Sequence, residues 1–164
     1  MQVEIGDTAV YPHHGAATVT AVKTRVIKGK EAAYVSLRVH SNDLMIELPV
    51  AKFDDVGVRD VINAAGVEGV YAVLRADVPE DLSNWSRRYK ANQEKLVSGD
   101  VVRAAEVVRD LWRRDVIRGV STGEKAMLIK ARHIVESELA LALNCTQDKA
   151  AAVVTGVLEE NLPG

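Results

Sequence analysis

From Val3 to Pro49, apolar and polar positions alternate over short stretches broken by turn residues, which is the period of β-strands. The run Ala16-Ala17-Thr18-Val19-Thr20-Ala21-Val22 is small and β-branched. Tyr34-Val35-Ser36-Leu37-Arg38-Val39 alternates cleanly, and Leu44-Met45-Ile46-Glu47-Leu48 follows the polar Ser41-Asn42-Asp43. Ile27-Lys28-Gly29-Lys30 predicts a hairpin turn, because Gly29 can take a backbone state that β-branched residues resist. Pro49 brings no ladder donor and is expected to stop the last strand. Four or five strands this short predict a small curled sheet or barrel, since closing up hides their edges.

After Pro49 the period changes to that of helices. Val67, Val70, Tyr71 and Leu74 fall at helical spacing, and Pro79 closes the segment. Four more helices are expected. The first runs from about Ser83 to Val97 and ends at Ser98-Gly99-Asp100. The second spans 101–118, with Val101, Ala105, Val108, Leu111 and Trp112 as its apolar stripe and Gly119 at its end. A third opens on the capping sequence Ser121-Thr122-Gly123-Glu124 and continues to Leu143, and a fourth runs from Thr146 to about Glu160, before Pro163-Gly164. The expected fold class is α+β in two domains. Residues 1–53 would form a small β-barrel module, 54–65 a linker and 66–164 an all-α module.

Composition narrows the function classes. The chain has 164 residues and a formal net charge of −2, with 48% hydrophobic and 27% charged residues, ordinary values for a globular protein. No apolar run approaches the ~18–20 residues needed to span a bilayer. MQVEIGDTAV lacks the basic-then-apolar pattern of a secretion signal, so no membrane association and a cytoplasmic location are expected. The single cysteine, Cys145, excludes an internal disulfide and a multi-cysteine zinc site. His13-His14 would point to opposite faces of an extended segment and fit a turn between Pro12 and Gly15 better than a metal site. His40 and His133 bring no second ligand at a suitable spacing, so neither metal nor cofactor is expected. No nucleophile elbow or phosphate-cradling glycine loop is present, and Asp54-Asp55 fits a solvated turn. The chain is not expected to be an enzyme.

Charge is distributed unevenly. Between Trp85 and Arg132 twelve Lys and Arg stand against six Asp and Glu, whereas from His133 onward Lys149 alone faces Glu136, Glu138, Asp148, Glu159 and Glu160. A near-neutral whole therefore conceals a basic helical centre beside an acidic tail. Within the basic part, Asn84-Trp85-Ser86-Arg87-Arg88-Tyr89-Lys90-Ala91-Asn92 is the strongest local feature. Trp112 has aliphatic neighbours along its helix and reads as core. Trp85 has Arg88 and Tyr89 one turn on, which suits either an interfacial tryptophan packed between helices or an exposed indole beside phosphate-seeking arginines. Arg109, Arg113, Arg114 and Arg118 form a second cluster, interrupted by Glu106, Asp110 and Asp115; it reads equally as a salt-bridged solvated face or as part of a DNA surface. Lys125 falls at the start of a helix, where backbone N–H groups favour an anion.

Several stretches carry a family resemblance. They are Gly6-Asp7-Thr8-Ala9-Val10-Tyr11-Pro12-His13-His14-Gly15, Val56-Gly57-Val58-Arg59-Asp60-Val61, Asn84 through Asn92, Ala105 through Asp115 and Gly123-Glu124-Lys125. In these the chain resembles the CarD/CdnL family of bacterial RNA-polymerase-binding transcription regulators. The resemblance implies a Tudor-like N-terminal module, akin to the polymerase-interacting domain of transcription–repair coupling factors, that docks on the RNA polymerase β subunit. It implies a polymerase-binding surface at Arg25, Ile27, Glu47 and Pro49. Some close relatives carry arginine where this chain has Glu47. The helical module would meet promoter DNA in the minor groove at the upstream edge of the bubble, largely independently of sequence. Trp85 would act as a wedge there, with Arg87, Lys90, Arg114 and Lys125 as the basic surface. A monomer associated with the nucleoid through polymerase is expected. Two other readings stay open: a self-sufficient DNA-binding repressor, and a protein–protein adaptor with Trp85 buried and the arginines paired internally.

Overall fold

The alternating stretches form a four-stranded antiparallel meander, β1 (Thr8–Tyr11), β2 (Gly15–Ile27), β3 (Lys30–Val39) and β4 (Met45–Pro49), paired in that order. The computed structural model describes residues 3–12, 14–40 and 42–160; His13, Ser41, Pro163 and Gly164, which the sequence pattern places in turns and at the end of the chain, lie outside them. Ala17, Val19, Val35, Leu37, Val39 and Leu48 point to one face and make the core of this sheet. A register shift between Val19 and Ala21 bends β2, as an extra residue in one strand of a pair does. Lys28 (φ 52°) and Gly29 (φ 75°) make the β2–β3 turn. Two positive φ values are what a two-residue hairpin needs to match strand twist. Pro49 is the last residue of β4, opposite Tyr34, and does not stand outside the ladder.

The sheet is a curled half-barrel. Its open edge at β1 is met by the segment that follows β4. After a 3-10 turn at Val50–Lys52, the short helix α1 (Phe53–Val56) ends on Gly57, and Phe53 and Val58 are buried in the sheet's core. The backbones of Val10 and Arg59 then exchange hydrogen bonds at 2.7 and 3.1 Å. Residues 54–61, expected as linker, therefore belong to the first unit, Met1–Val61. Two apolar side chains need the core, and the β1 edge needs a partner.

The second unit, Ile62–Gly164, is helical. It contains α2 (Ala64–Arg75), α3 (Trp85–Val97), α4 (Val101–Arg118), α5 (Thr122–Leu143) and α6 (Gln147–Glu159). Each begins at a side chain that accepts a backbone N–H of the first turn: Asn63, Asn84, Asp100, Ser121 and Thr146. Such caps satisfy donors that the helix itself leaves unpaired. α5 touches α2, α3, α4 and α6, and Met127, Leu128, Ala131, Val135 and Leu139 on it join Val70, Leu74, Val107, Val108, Leu111, Val154 and Leu158 in one core. Trp112 packs against that core, as its aliphatic neighbours suggest. Glu138 receives the Ile62 N–H at 2.9 Å and so ties the start of the unit to α5. Among the described residues no helix is long and apolar enough to cross a membrane.

The end of α2 is fastened by arginines from α4. Arg109 is buried, donating to Asp110 at 2.8 Å and to the Val73 carbonyl at 3.3 Å. Arg113 donates to the carbonyls of Ala76 and Leu74 at 2.6 and 3.1 Å. These carbonyls lie at the end of α2, where the helix leaves acceptors in need of donors and the dipole favours a cation; of the three, Val73 also accepts the Ala76 N–H at 3.2 Å. Burial, and then the charge of Arg109, lower the Arg113 pKa from its ordinary value.

Two substitutions test this packing by urea unfolding of the whole chain. Gly57 lies at φ +88°, and a Cβ there would meet Pro12 Cγ at 3.3 Å; Gly57→Ala is expected to cost roughly 1–2 kcal/mol, the penalty for a left-handed L-residue. Arg113→Met leaves two α2 carbonyls without their charged donor and is expected to cost about 1.5–3 kcal/mol. Unchanged midpoints would contradict the respective contact.

Candidate nucleic-acid interface

Trp85 is the first residue of α3, and Asn84 before it caps the helix by accepting the Arg87 N–H at 2.9 Å. Helical spacing brings Tyr89 one turn on. The two rings stack, with centroids 5.0 Å apart and planes 20° from parallel. The indole N–H donates to Ser121 Oγ at 3.0 Å, and Ser121 is the cap of α5. Two helix N-termini therefore meet at this ring. Trp85 is packed on one side and still 45% exposed. It is thus both of the things its sequence context allowed: it contacts a second helix and it offers a free aromatic edge.

Arg87, Lys90 and Lys125 are exposed, and no ion pair holds any of them to a described residue. Arg87 and Lys90 lie on the same short helix as Trp85, and Lys125 lies in the first turn of α5. Three exposed cations and two positive helix ends around one exposed indole suit a polyanion that also offers an apolar base face. Arg88, in the same motif, is turned inward, donating to the Ser83 carbonyl and lying 3.9 Å from Glu124.

The second arginine cluster is used differently. Arg109 and Arg113 hold the end of α2, as described above. Arg114 and Arg118 converge on one carboxylate: Arg114 Nη1 is 2.6 Å from Glu80 Oε1 and Arg118 Nη2 is 2.8 Å from Glu80 Oε2. The Arg114 side chain is only 17% exposed. In the structure the Glu80 carboxylate pairs with it, so it has less charge and area to offer than Arg87, Lys90 or Lys125. The adaptor reading had expected paired arginines together with a buried Trp85; the arginines are paired, and the tryptophan is exposed. Sequence reading missed Glu80 because it lies in an irregular segment far along the chain from α4. It also missed the bond between Trp85 and Ser121, although the capping sequence marked Ser121 as a helix start.

A cavity of about 600 Å³ lies between the 77–81 segment, α3 and α4. Acidic Asp77, Glu80 and Asp110 line it along with Arg113 and Arg114, so its charge is mixed.

In the first unit, the structure gathers the four residues singled out for polymerase contact. Arg25 and Ile27 on β2, and Glu47 and Pro49 on β4, share the face of the sheet opposite the core, by the registers Arg25↔Ala32, Ile27↔Lys30, Ser36↔Glu47 and Tyr34↔Pro49. Arg25 forms an ion pair with Glu47 across β3 and lies over the Tyr34 ring, 5.2 Å from its centroid. Glu47 therefore has a partner on its own sheet. β1 reaches only as far as Thr18 along β2, which leaves the outer edge of β2 beyond Ala21 without a strand partner among the described residues.

Comparisons with known proteins agree with this two-part architecture. Residues 3–62 match the family description "CarD-like/TRCF RID domain", and residues 69–155 match "CarD, C-terminal domain". The chain is 28% identical over 144 residues to the Bacillus subtilis (strain 168) protein named "Putative transcription factor YdeB", covering 88% of this chain and 94% of that one. The solution NMR structure of the 72-residue N-terminal domain of Myxococcus xanthus CarD is 29% identical over 36% of this chain and 79% of that chain, with a TM-score of 0.31. The two family matches follow one another in chain order and together account for both units, so the chain belongs to the CarD family.

Proposed function

We propose that this protein is a transcription regulator that docks on the β subunit of RNA polymerase through its N-terminal unit and stabilises the open promoter complex through its helical unit, with no catalytic step of its own. The observation that carries the reading is the exposed Trp85 edge among Arg87, Lys90 and Lys125. Membership of the CarD family, and the polymerase-interacting character of the domain that residues 3–62 match, supply the context.

For docking, the unpartnered edge of β2 suits addition of a strand from polymerase, in which backbone bonds give affinity and side chains on one face give specificity. Arg25, Ile27, Glu47 and Pro49 are the side chains on that face. Because Glu47 already neutralises Arg25, the contact would rest more on backbone pairing and the apolar Ile27 than on free charge.

For DNA, three free cations bind weakly and with marked salt dependence when alone. Tethering to polymerase raises the local concentration to roughly millimolar, and weak contacts then suffice. Opening the duplex unstacks a base step at a cost of a few kcal/mol, and an indole that fills the gap lowers the tendency to reclose. The contact reads no base edge, so it is tolerant of sequence, and placement in the minor groove at the upstream edge of the bubble fits a wedge of this kind.

Open-complex lifetime on a ribosomal-type promoter, measured after a competitor challenge with and without the protein, tests the reading. Trp85→Ala is expected to shorten the protein-dependent lifetime about tenfold, equivalent to about 1.4 kcal/mol, while the variant still co-purifies with polymerase. An unchanged lifetime would refute the wedge.

A further inference from the structure

The Trp85 ring is held from three sides. Its N–H donates to Ser121 Oγ at 3.0 Å, its face stacks on Tyr89, and its Cζ2 edge runs past Gly123, where a Cβ would sit 3.7 Å away. The Ser121 hydroxyl has more to do than cap α5. It accepts the Glu124 N–H at 3.1 Å and donates its proton to Glu124 Oε1 at 3.3 Å. A hydroxyl has one proton and two lone pairs, and at Ser121 all three are engaged. By taking the proton, the Glu124 carboxylate turns a lone pair toward the indole.

Glu124 is unusual for such a position. It is 2% exposed, and its Oε2 has no hydrogen-bond partner among the described residues, with Arg88 Nη2 3.9 Å away. Burying an under-satisfied carboxylate is costly, and capping does not require it: Asn63, Asn84, Asp100 and Thr146 are followed three residues on by Gly66, Arg87, Arg103 and Lys149. Arg88, on the other side of Glu124, donates to the carbonyl of Ser83, two residues before Trp85. One buried acidic group therefore links the hydroxyl that holds the ring to the guanidinium that holds its backbone.

We propose that Ser121, oriented by Glu124, is a positioning residue that presets the Trp85 ring for insertion beside a base step. This rests on the wedge reading above. A ring already fixed in its inserting rotamer loses little freedom on binding, and immobilising one side chain is worth about two- to tenfold in affinity.

The test uses the full chain with Trp112→Phe, which leaves Trp85 as the sole tryptophan. Ser121→Gly removes the acceptor while glycine still serves at a helix cap, and Ser121→Thr keeps the hydroxyl. Time-resolved fluorescence anisotropy of the free protein should show a larger fast component for Ser121→Gly and the parent value for Ser121→Thr. Open-complex lifetime should fall about two- to tenfold with Ser121→Gly, recover with Ser121→Thr, and show no added effect of Ser121→Gly in a Trp85→Ala background. Unchanged anisotropy in Ser121→Gly would overturn the proposal, as would an equal loss of lifetime in the Trp85→Ala background. If Trp85→Ala alone leaves lifetime unchanged, the wedge reading falls, and the anisotropy comparison, which involves no DNA, still decides whether Ser121 sets the ring.

Discussion

The helical unit depends on the guanidinium groups along α4 finding acceptors at the end of α2 and in the segment after it. Charged groups this far from water must be matched by hydrogen bonds, and α2 supplies them: the Val73, Leu74 and Ala76 carbonyls take Arg109 and Arg113. Glu80 takes Arg114 and Arg118. These bonds secure the irregular stretch between α2 and α3, and that stretch determines where α3 begins. Trp85 is its first residue. An arginine cluster that looks like a nucleic-acid surface by composition thus serves as a fastening for the segment that leads to the candidate one.

The consequence is that the candidate interface is narrow. Of the basic residues from Trp85 to Arg132, Arg88, Lys95, Arg109, Arg113, Arg114, Arg118 and Arg132 have acceptors within the unit. Arg87, Lys90 and Lys125 remain near the indole, Arg103 follows the opposite end of α3 from Trp85, and Lys130 is exposed further along α5. A protein with so little free charge suits a partner-tethered contact better than a free-standing one. The first unit shows the same economy, since the ion pair between Arg25 and Glu47 removes a charge from the face where a partner would dock.

Much of the fold was legible in the sequence because local chemistry set it. The helix starts at 64, 85, 101, 122 and 147 each follow an Asn, Asp, Ser or Thr cap, and strand alternation marked the sheet. The stretch from 54 to 61 was not legible. Phe53 stands between Lys52 and Asp54 and Val58 between Gly57 and Arg59, and only the sheet's core and the bare β1 edge give them a place. At the candidate site, Trp85, Arg87, Lys90 and Lys125 stood out by type and spacing. The pairing of Arg114 with Glu80, and of the indole with Ser121, joins residues distant in sequence, and no local pattern encodes such contacts.

How many cations are free for DNA can be counted directly. Binding of the full chain to a short duplex, titrated at several salt concentrations, gives a slope of log affinity against log salt of about −0.9 per phosphate neutralised. Contacts from Arg87, Lys90 and Lys125 alone correspond to a slope of about −3. A slope steeper than about −5 would mean that the paired α4 arginines also reach phosphate, and would contradict their engagement by acceptors within the helical unit.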